Sequence, residues 1–296
     1  MISLRALVKR NCKLFFKDTG MFFTSLITPL ILLVLYVTFL AKVYADAFTG
    51  SIPPGFSLEQ DLIDATVGGQ LVSSLLAVCC ITVAFCSNLL MVQDKVTGAR
   101  KDLTMSPVRS SILSLSYFIA TFVATIIICL VAMAACLLYL YVTGWYLTLA
   151  DVLLLTLDVI LLVLFGTALS SLIIVPLSTN GQASAVGTIV SAGYGFICGA
   201  YMPISSFGSG LQKVISLLPG TYGTSLLRNH ALRSVFAEME SLGIPQEILH
   251  GLRDGIDCNL YFCDTQVGIP AMYAVLIGAT VAVTLGFISL CALRRK

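Results

Sequence analysis

Asp158 stands in LLLTLDVILLVLFG, the one carboxylate well inside a long apolar run. An ionisable group at the bilayer centre costs about 2.5 to 3.5 kcal/mol on insertion scales, so such a residue is by default a functional candidate. It follows Asp151 by only seven residues, about 10 Å of helix at 1.5 Å per residue. Reaching the outer headgroups or pairing with a neighbouring helix is the alternative use. Cys258 and Cys263 bracket DCNLYFCD, a spacing open to either a disulfide or two thiols, because spacing does not fix Cβ geometry. His230 and His250 form no evident nucleophile or carboxylate constellation, and Cys258 and Cys263 have only His250 close by in sequence and no third ligand, so no metal site is expected. The chain carries no GxxxxGK[ST] loop, HExxH helix or GxSxG elbow. It therefore has no ATPase site of its own and reads as a non-enzyme.

The remaining chemistry is ionic. QDKVTGARKDLTMSP (93–107) packs Asp94, Lys95, Arg100, Lys101 and Asp102 around Gly98, then stops at Pro107 where the next apolar run begins. A short two-signed helix pinned between two spanning helices would pass a push on its outer face to both. An ordinary solvated loop has the same composition.

The elements that hold these groups are membrane elements. Of 296 residues 58% are hydrophobic and 11% charged, against about 25% charged in soluble domains. Apolar runs near the roughly 20 residues needed to cross hydrocarbon give an all-α integral membrane protein of one domain, 1–296, with six crossings. Their cores are 22–44, 70–92, 112–142, 152–175, 183–202 and 269–292. No cleavable signal segment is expected, since the basic first twenty residues lead into a full spanning run.

Charge orients the crossings. Arg5, Lys9, Arg10, Lys13 and Lys17, then Lys95, Arg100, Lys101 and Arg109, then Arg294, Arg295 and Lys296 all fall on one side. The loops 45–69 and 143–151 hold no cation. By the positive-inside rule both termini and loop 93–110 are cytoplasmic, and segment 203–268 is external. In residues 1–20, Arg5, Lys9, Lys13 and Lys17 recur every fourth position beside Leu4, Leu7 and Phe15, which predicts an amphipathic helix in the inner interface. The basic clusters flank membrane runs, so nucleic acid is not an expected partner.

Within the fifth crossing Ala183, Gly187, Ser191, Gly195 and Gly199 form one small-residue stripe. Such stripes serve close helix packing within one bundle, with a pathway or a subunit seam as the alternative. Beyond it, the apolar pieces 211–218 and 221–235, split by Pro219 and Gly220, predict short re-entrant helices before the sixth crossing.

Asp94-Lys95, Gly98, Lys101-Asp102-Leu103 and Ser106-Pro107 together resemble the loop between helices 2 and 3 of type-2 ABC exporter permeases. Met202-Pro203 and the Leu218, Pro219, Tyr222, Leu227, Arg228 series resemble that family's segment after helix 5. Where the family often carries Glu, this chain has Val96 and Lys101. The resemblance implies that residues 94–107 form a coupling helix. With the interfacial helix it would contact a separate cytoplasmic subunit that binds ATP and Mg, and two permease subunits would pair as a homo- or heterodimer. Pro203, Pro219 and Tyr222 would belong to an outer gate. Export across the cell membrane of a hydrophobic or amphipathic cargo (drug, antibiotic, lipid or glycan) is the implied activity. An ion-coupled secondary transporter and a non-transporting scaffold or immunity protein are the alternatives.

Overall fold

Helix α1 (Ile2–Lys17) turns Leu7, Asn11 and Phe15 inward and leaves Arg5, Lys9, Lys13 and Lys17 exposed, the two-sided pattern that its fourfold lysine spacing requires. The computed structural model describes residues 2–50, 59–105, 108–262 and 265–293. Asp18 ends α1 and caps α2 (Thr19–Leu35) by accepting the Met21 backbone N–H at 3.0 Å. One wider turn at Tyr36–Leu40 carries α2 into α3 (Ala41–Gly50). Next come α4 (Gln60–Asn88), its continuation α5 (Leu90–Val96), and α6 (Ala99–Met105). The long α7 (Ser110–Thr143) is followed by α8 (Leu149–Ile174), which opens on a capping box between Thr148 and Asp151. Then follow α9 (Asn180–Ile197), α10 (Ser209–Ile215), α11 (Pro219–Ser241) and α12 (Gln246–Gly255). A hairpin of β1 (Leu260–Phe262) and β2 (Thr265–Val267) leads into α13 (Ile269–Leu293).

The centre of the bundle is α4, with α2, α7, α8, α9 and α11 packed around it. Because neighbours cover all its sides, its apolar residues show no preferred face, and Val72, Leu76, Val78, Ile81 and Val83 are wholly buried. Small residues set the spacing. A Cβ on Gly166 would stand 2.9 Å from the Cys80 carbonyl oxygen, so glycine is what lets α8 approach α4 this closely. A second apolar cluster, built from Tyr36, Phe48, Leu62, Leu232, Phe236, Met239 and Leu252, closes the end of the bundle farthest from α6.

Three sequence expectations are met in part. Among the described residues five stretches, Thr19–Asp46, Gln60–Val96, Ser110–Thr143, Leu149–Ile174 and Ile269–Leu293, are long and apolar enough to cross a membrane. The expected fifth crossing is helical as α9, but its 18 residues include Asn180, Gln182, Ser184 and Ser191, and this polarity keeps it below that threshold. The expected short re-entrant pair is also different: α10 has 7 residues, whereas α11 has 23 and packs deeply against α4, α8 and α13. Pro219 does not split it; proline at the first helical turn lacks only an N–H that would be unpaired there anyway. Finally, the fold is all-α apart from the short antiparallel hairpin, in which Leu260 pairs with Val267 and Phe262 with Thr265. Tyr261, Phe262 and the Thr and Val of β2 supply its strand-forming residues.

Candidate functional site

The charged loop divides into an inward half and an outward half. Asp94 on α5 is buried, its side chain 6% exposed. Arg10 of α1 reaches it with both guanidinium nitrogens, Nη1 to Oδ2 at 2.7 Å and Nη2 to Oδ1 at 3.0 Å. The Tyr117 hydroxyl of α7 donates to the same Oδ2 at 2.5 Å. One carboxylate thus ties three helices together, and its hydrogen bonds raise the Arg10 guanidinium above its already high ordinary pKa. Asn11 extends the junction by donating from Nδ2 to Ser116 Oγ at 3.3 Å.

Lys95 makes the next fastening. Its Nζ donates to the Val175 and Leu177 carbonyl oxygens at 2.7 and 2.5 Å. A cation is favourable at a helix C-terminus, where carbonyls lack partners, so this contact joins α5 to the end of α8. Nearby, Asn88 Nδ2 donates to Ser170 Oγ at 3.2 Å and Ser171 Oγ at 2.9 Å, binding α4 to α8 at the same level.

Beyond Gly98 the character reverses. Gly98 has φ +85°, a left-handed conformation that glycine adopts without a Cβ penalty, and it turns the chain sharply into α6. On α6, Lys101, Asp102 and Met105 are exposed, Met105 at 86%, while Arg100 and Leu103 are half-buried. The helix packs mainly on α5. Beside it, between α1 and α5, lies a cleft of about 490 Å³ lined by Arg10, Leu14, Lys17, Gln93, Asp94 and Thr97. Of the candidate coupling residues, Asp94 and Lys95 therefore fasten the loop, and Arg100, Lys101, Asp102 and Leu103 form the projecting helix. Ser106 and Pro107 lie outside the described residues.

The small-residue stripe is split as well. A Cβ on Gly187 would meet nothing within 4 Å, whereas one on Gly195 would collide with the Tyr201 ring, and Gly199 has φ +73°. Gly187, Thr188 and Ser191 face a groove of about 740 Å³, across which stand Ile27 and Ile31 of α2 and Cys86 of α4. Along α2, Phe23, Ile27, Ile31 and Val34 are exposed apolar residues.

At the far end of the bundle Arg228 of α11 is 1% exposed. It donates to the Ile256 carbonyl at 2.7 Å, the Gly199 carbonyl at 2.9 Å, Ser74 Oγ at 3.1 Å and Asp257 Oδ2 at 3.2 Å. Asp257 in turn accepts the Ile204 backbone N–H at 2.9 Å, just after Pro203. The Tyr222 hydroxyl donates to the Ser216 carbonyl at 2.7 Å, fastening α10 to α11. Burial pushes the nearby Cys258 thiol up to about 12. Its suggested disulfide partner Cys263 lies outside the described residues.

Asp158 does pair with neighbouring helices. His230 Nδ1 of α11 stands 2.5 Å from its Oδ2, and the Tyr273 hydroxyl of α13 donates to Oδ1 at 2.5 Å. The expectation that His230 has no carboxylate beside it is therefore corrected; the two residues are 72 positions apart and meet only because α11 packs into the bundle. Arg10 and Tyr117 were likewise absent from the sequence-derived site. Arg10 left one trace, as a cation standing off the stripe of Arg5, Lys9, Lys13 and Lys17; Tyr117 left none.

The model of the family described as ABC-2 type transporter matches residues 2–231, most of the chain. No curated protein matches the sequence.

Proposed function

This chain belongs to the ABC-2 type transporter family, and from that premise we propose that α6 is the element through which a separate cytoplasmic ATP-binding subunit drives it. The chain is a permease subunit of an ABC transporter and a multi-pass membrane protein. The observation that carries the proposal is the division of loop 93–105 into a fastened half and a projecting half. Asp94 and Lys95 connect it to α1, α7 and α8, so a force on the exposed face of α6 would reach three helices through one ion pair and short charge-assisted hydrogen bonds.

In this reading the ATP-binding subunit, which holds ATP and Mg, seats on Lys101, Asp102 and Met105 and enters the cleft beside α1. The basic face of α1, with Arg5, Lys9, Lys13 and Lys17, rests on anionic headgroups of the inner leaflet of the cell membrane, and both termini are cytoplasmic. A second permease subunit closes over the groove between α2 and α9. Exposed apolar residues on α2 and unfilled space at Gly187 support that seam. Helix α9, about 27 Å long at 1.5 Å per residue, then completes six crossings, its polar residues covered by the partner. The groove between the two bundles carries a hydrophobic or amphipathic cargo outward, and α10 and the start of α11, with Pro203, Pro219 and Tyr222, form the outer gate.

Co-purification tests the coupling. The ATP-binding subunit should come down with the intact permease and be lost when Ala99–Met105 is scrambled; retention by the scrambled chain would overturn the proposal. The buried Asp158–His230 pair favours a second, ion-coupled reading. That reading requires vesicle transport driven by an ion gradient without ATP, and its loss in Asp158→Asn.

A further inference from the structure

At the end of the bundle away from α6, a cavity of about 240 Å³ opens between α11, α12 and the start of α13. Its walls are Asn229, His230, Arg233 and Phe236 of α11, Arg253 of α12 and Ile269 of α13. Two guanidinium groups therefore face one small space. One of them, Arg233, is shared with a carboxylate. The Arg233 side chain is 60% exposed, and its Nη1 makes a long ion pair with Asp151 Oδ1 at 3.6 Å without a hydrogen bond, so only one edge of the guanidinium is engaged. The other Asp151 oxygen is already served by the Thr148 backbone N–H, the Thr148 hydroxyl and the Ser234 hydroxyl. Among the described residues Arg253 has no acidic partner; its guanidinium lies 4.9 Å from the centroid of the Phe236 ring, a cation–π contact that holds it over an apolar floor.

The imidazole of His230 is fixed from behind. Asp158 takes its Nδ1 side and Tyr273 holds the other Asp158 oxygen, which orients the ring at the cavity wall. Ile269 supplies an apolar edge where α13 begins its run of membrane-spanning length. The site thus offers two planar guanidinium forks, an oriented imidazole and an apolar rim where a helix of membrane-spanning length begins. That is the donor set for a phosphate attached to, or lying beside, an apolar body.

We propose that this cavity binds an anionic phosphate group, gripped by Arg233 and Arg253 with His230 at the wall. Two sources share this chemistry: the headgroup of an anionic phospholipid in the adjacent leaflet, and free phosphate from solution. The inference is independent of how α6 is driven.

The test uses the full-length permease purified in detergent and three probes: dihexanoylphosphatidylglycerol, dihexanoylphosphatidylcholine and inorganic phosphate, each followed by calorimetric titration. The anionic lipid should bind more tightly than the choline lipid, and the Arg233→Gln/Arg253→Gln double variant should lose roughly tenfold or more of that affinity. Competition by inorganic phosphate would identify the free anion as a sufficient ligand. Binding of the anionic lipid without such competition would identify the headgroup. Both results support the site. The single variant Arg253→Gln, which breaks no ion pair among the described residues, should give an intermediate loss with thermal unfolding close to the parent, which separates ligand loss from misfolding. The proposal fails if neither anionic lipid nor phosphate binds above the choline lipid, or if the double variant binds as tightly as the parent.

Discussion

The two ends of the bundle use buried arginine–aspartate chemistry to opposite purposes. At the far end Arg228 spends its donors on Ser74, Gly199, Ile256 and Asp257, all within the chain, and closes α4, α9, α11 and the α12 turn into one unit. At the other end Arg10, Asp94 and Tyr117 join α1, α5 and α7, yet the helix just beyond, α6, is left projecting with Met105 86% exposed. A polar network whose partners all lie within the chain is a lock. One that ends beside an uncovered helix would, under the proposed coupling, act as a transmission loaded at that uncovered surface.

Perturbations graded by stability should break this contrast in order. Arg228→Met should have the largest effect, because it strips hydrogen bonds from buried Asp257 and three other acceptors; removing one partner of a buried pair costs about 3 to 5 kcal/mol. Thermal unfolding in detergent measures it, and a loss below about 1 kcal/mol would demote Arg228 to an ordinary surface-type contact. Asp94→Asn should come next, at about 1.5 to 3 kcal/mol, since it weakens charge-assisted bonds whose donor Arg10 is 30% exposed and can rehydrate. It should also lower transport per ATP hydrolysed, whereas Arg228→Met should reduce folded protein without altering that ratio. Gly98→Ala meets no neighbour within 4 Å, so only the left-handed backbone opposes it, at about 1 kcal/mol. Smallest of all is Lys101→Glu/Asp102→Lys, on an exposed face, which should change stability by less than about 0.5 kcal/mol while weakening capture of the ATP-binding subunit.

The contrast was half legible in the sequence. Periodicity placed the exposed lysines of α1, and the charge run bounded by Gly98 placed α6, because both are local patterns. The inward turn of Asp94 and Lys95 was not legible, since their partners lie 84 and 80 residues away and no local rule pairs them. Similarly, Pro219 between two apolar pieces reads as a break, yet at a first turn it starts a helix, and α11 becomes a buried element carrying Arg228 and His230. The hairpin at 260–267 was missed because so short a pairing leaves little alternation to detect. The small-residue stripe within 183–202 reads as packing or as a pathway or seam, and it divides: Gly195 lies against the Tyr201 ring, whereas Gly187 borders open space.

Hydrogen–deuterium exchange on the permease, alone and with its ATP-binding subunit bound, tests the central claim most directly. Both ends are read in one experiment. The account predicts that peptides covering Ala99–Met105 become protected on complex formation, while those covering Ser209–Ile215 and Gln246–Gly255 exchange as before. Unchanged exchange across Ala99–Met105, with protection appearing only elsewhere, would contradict it.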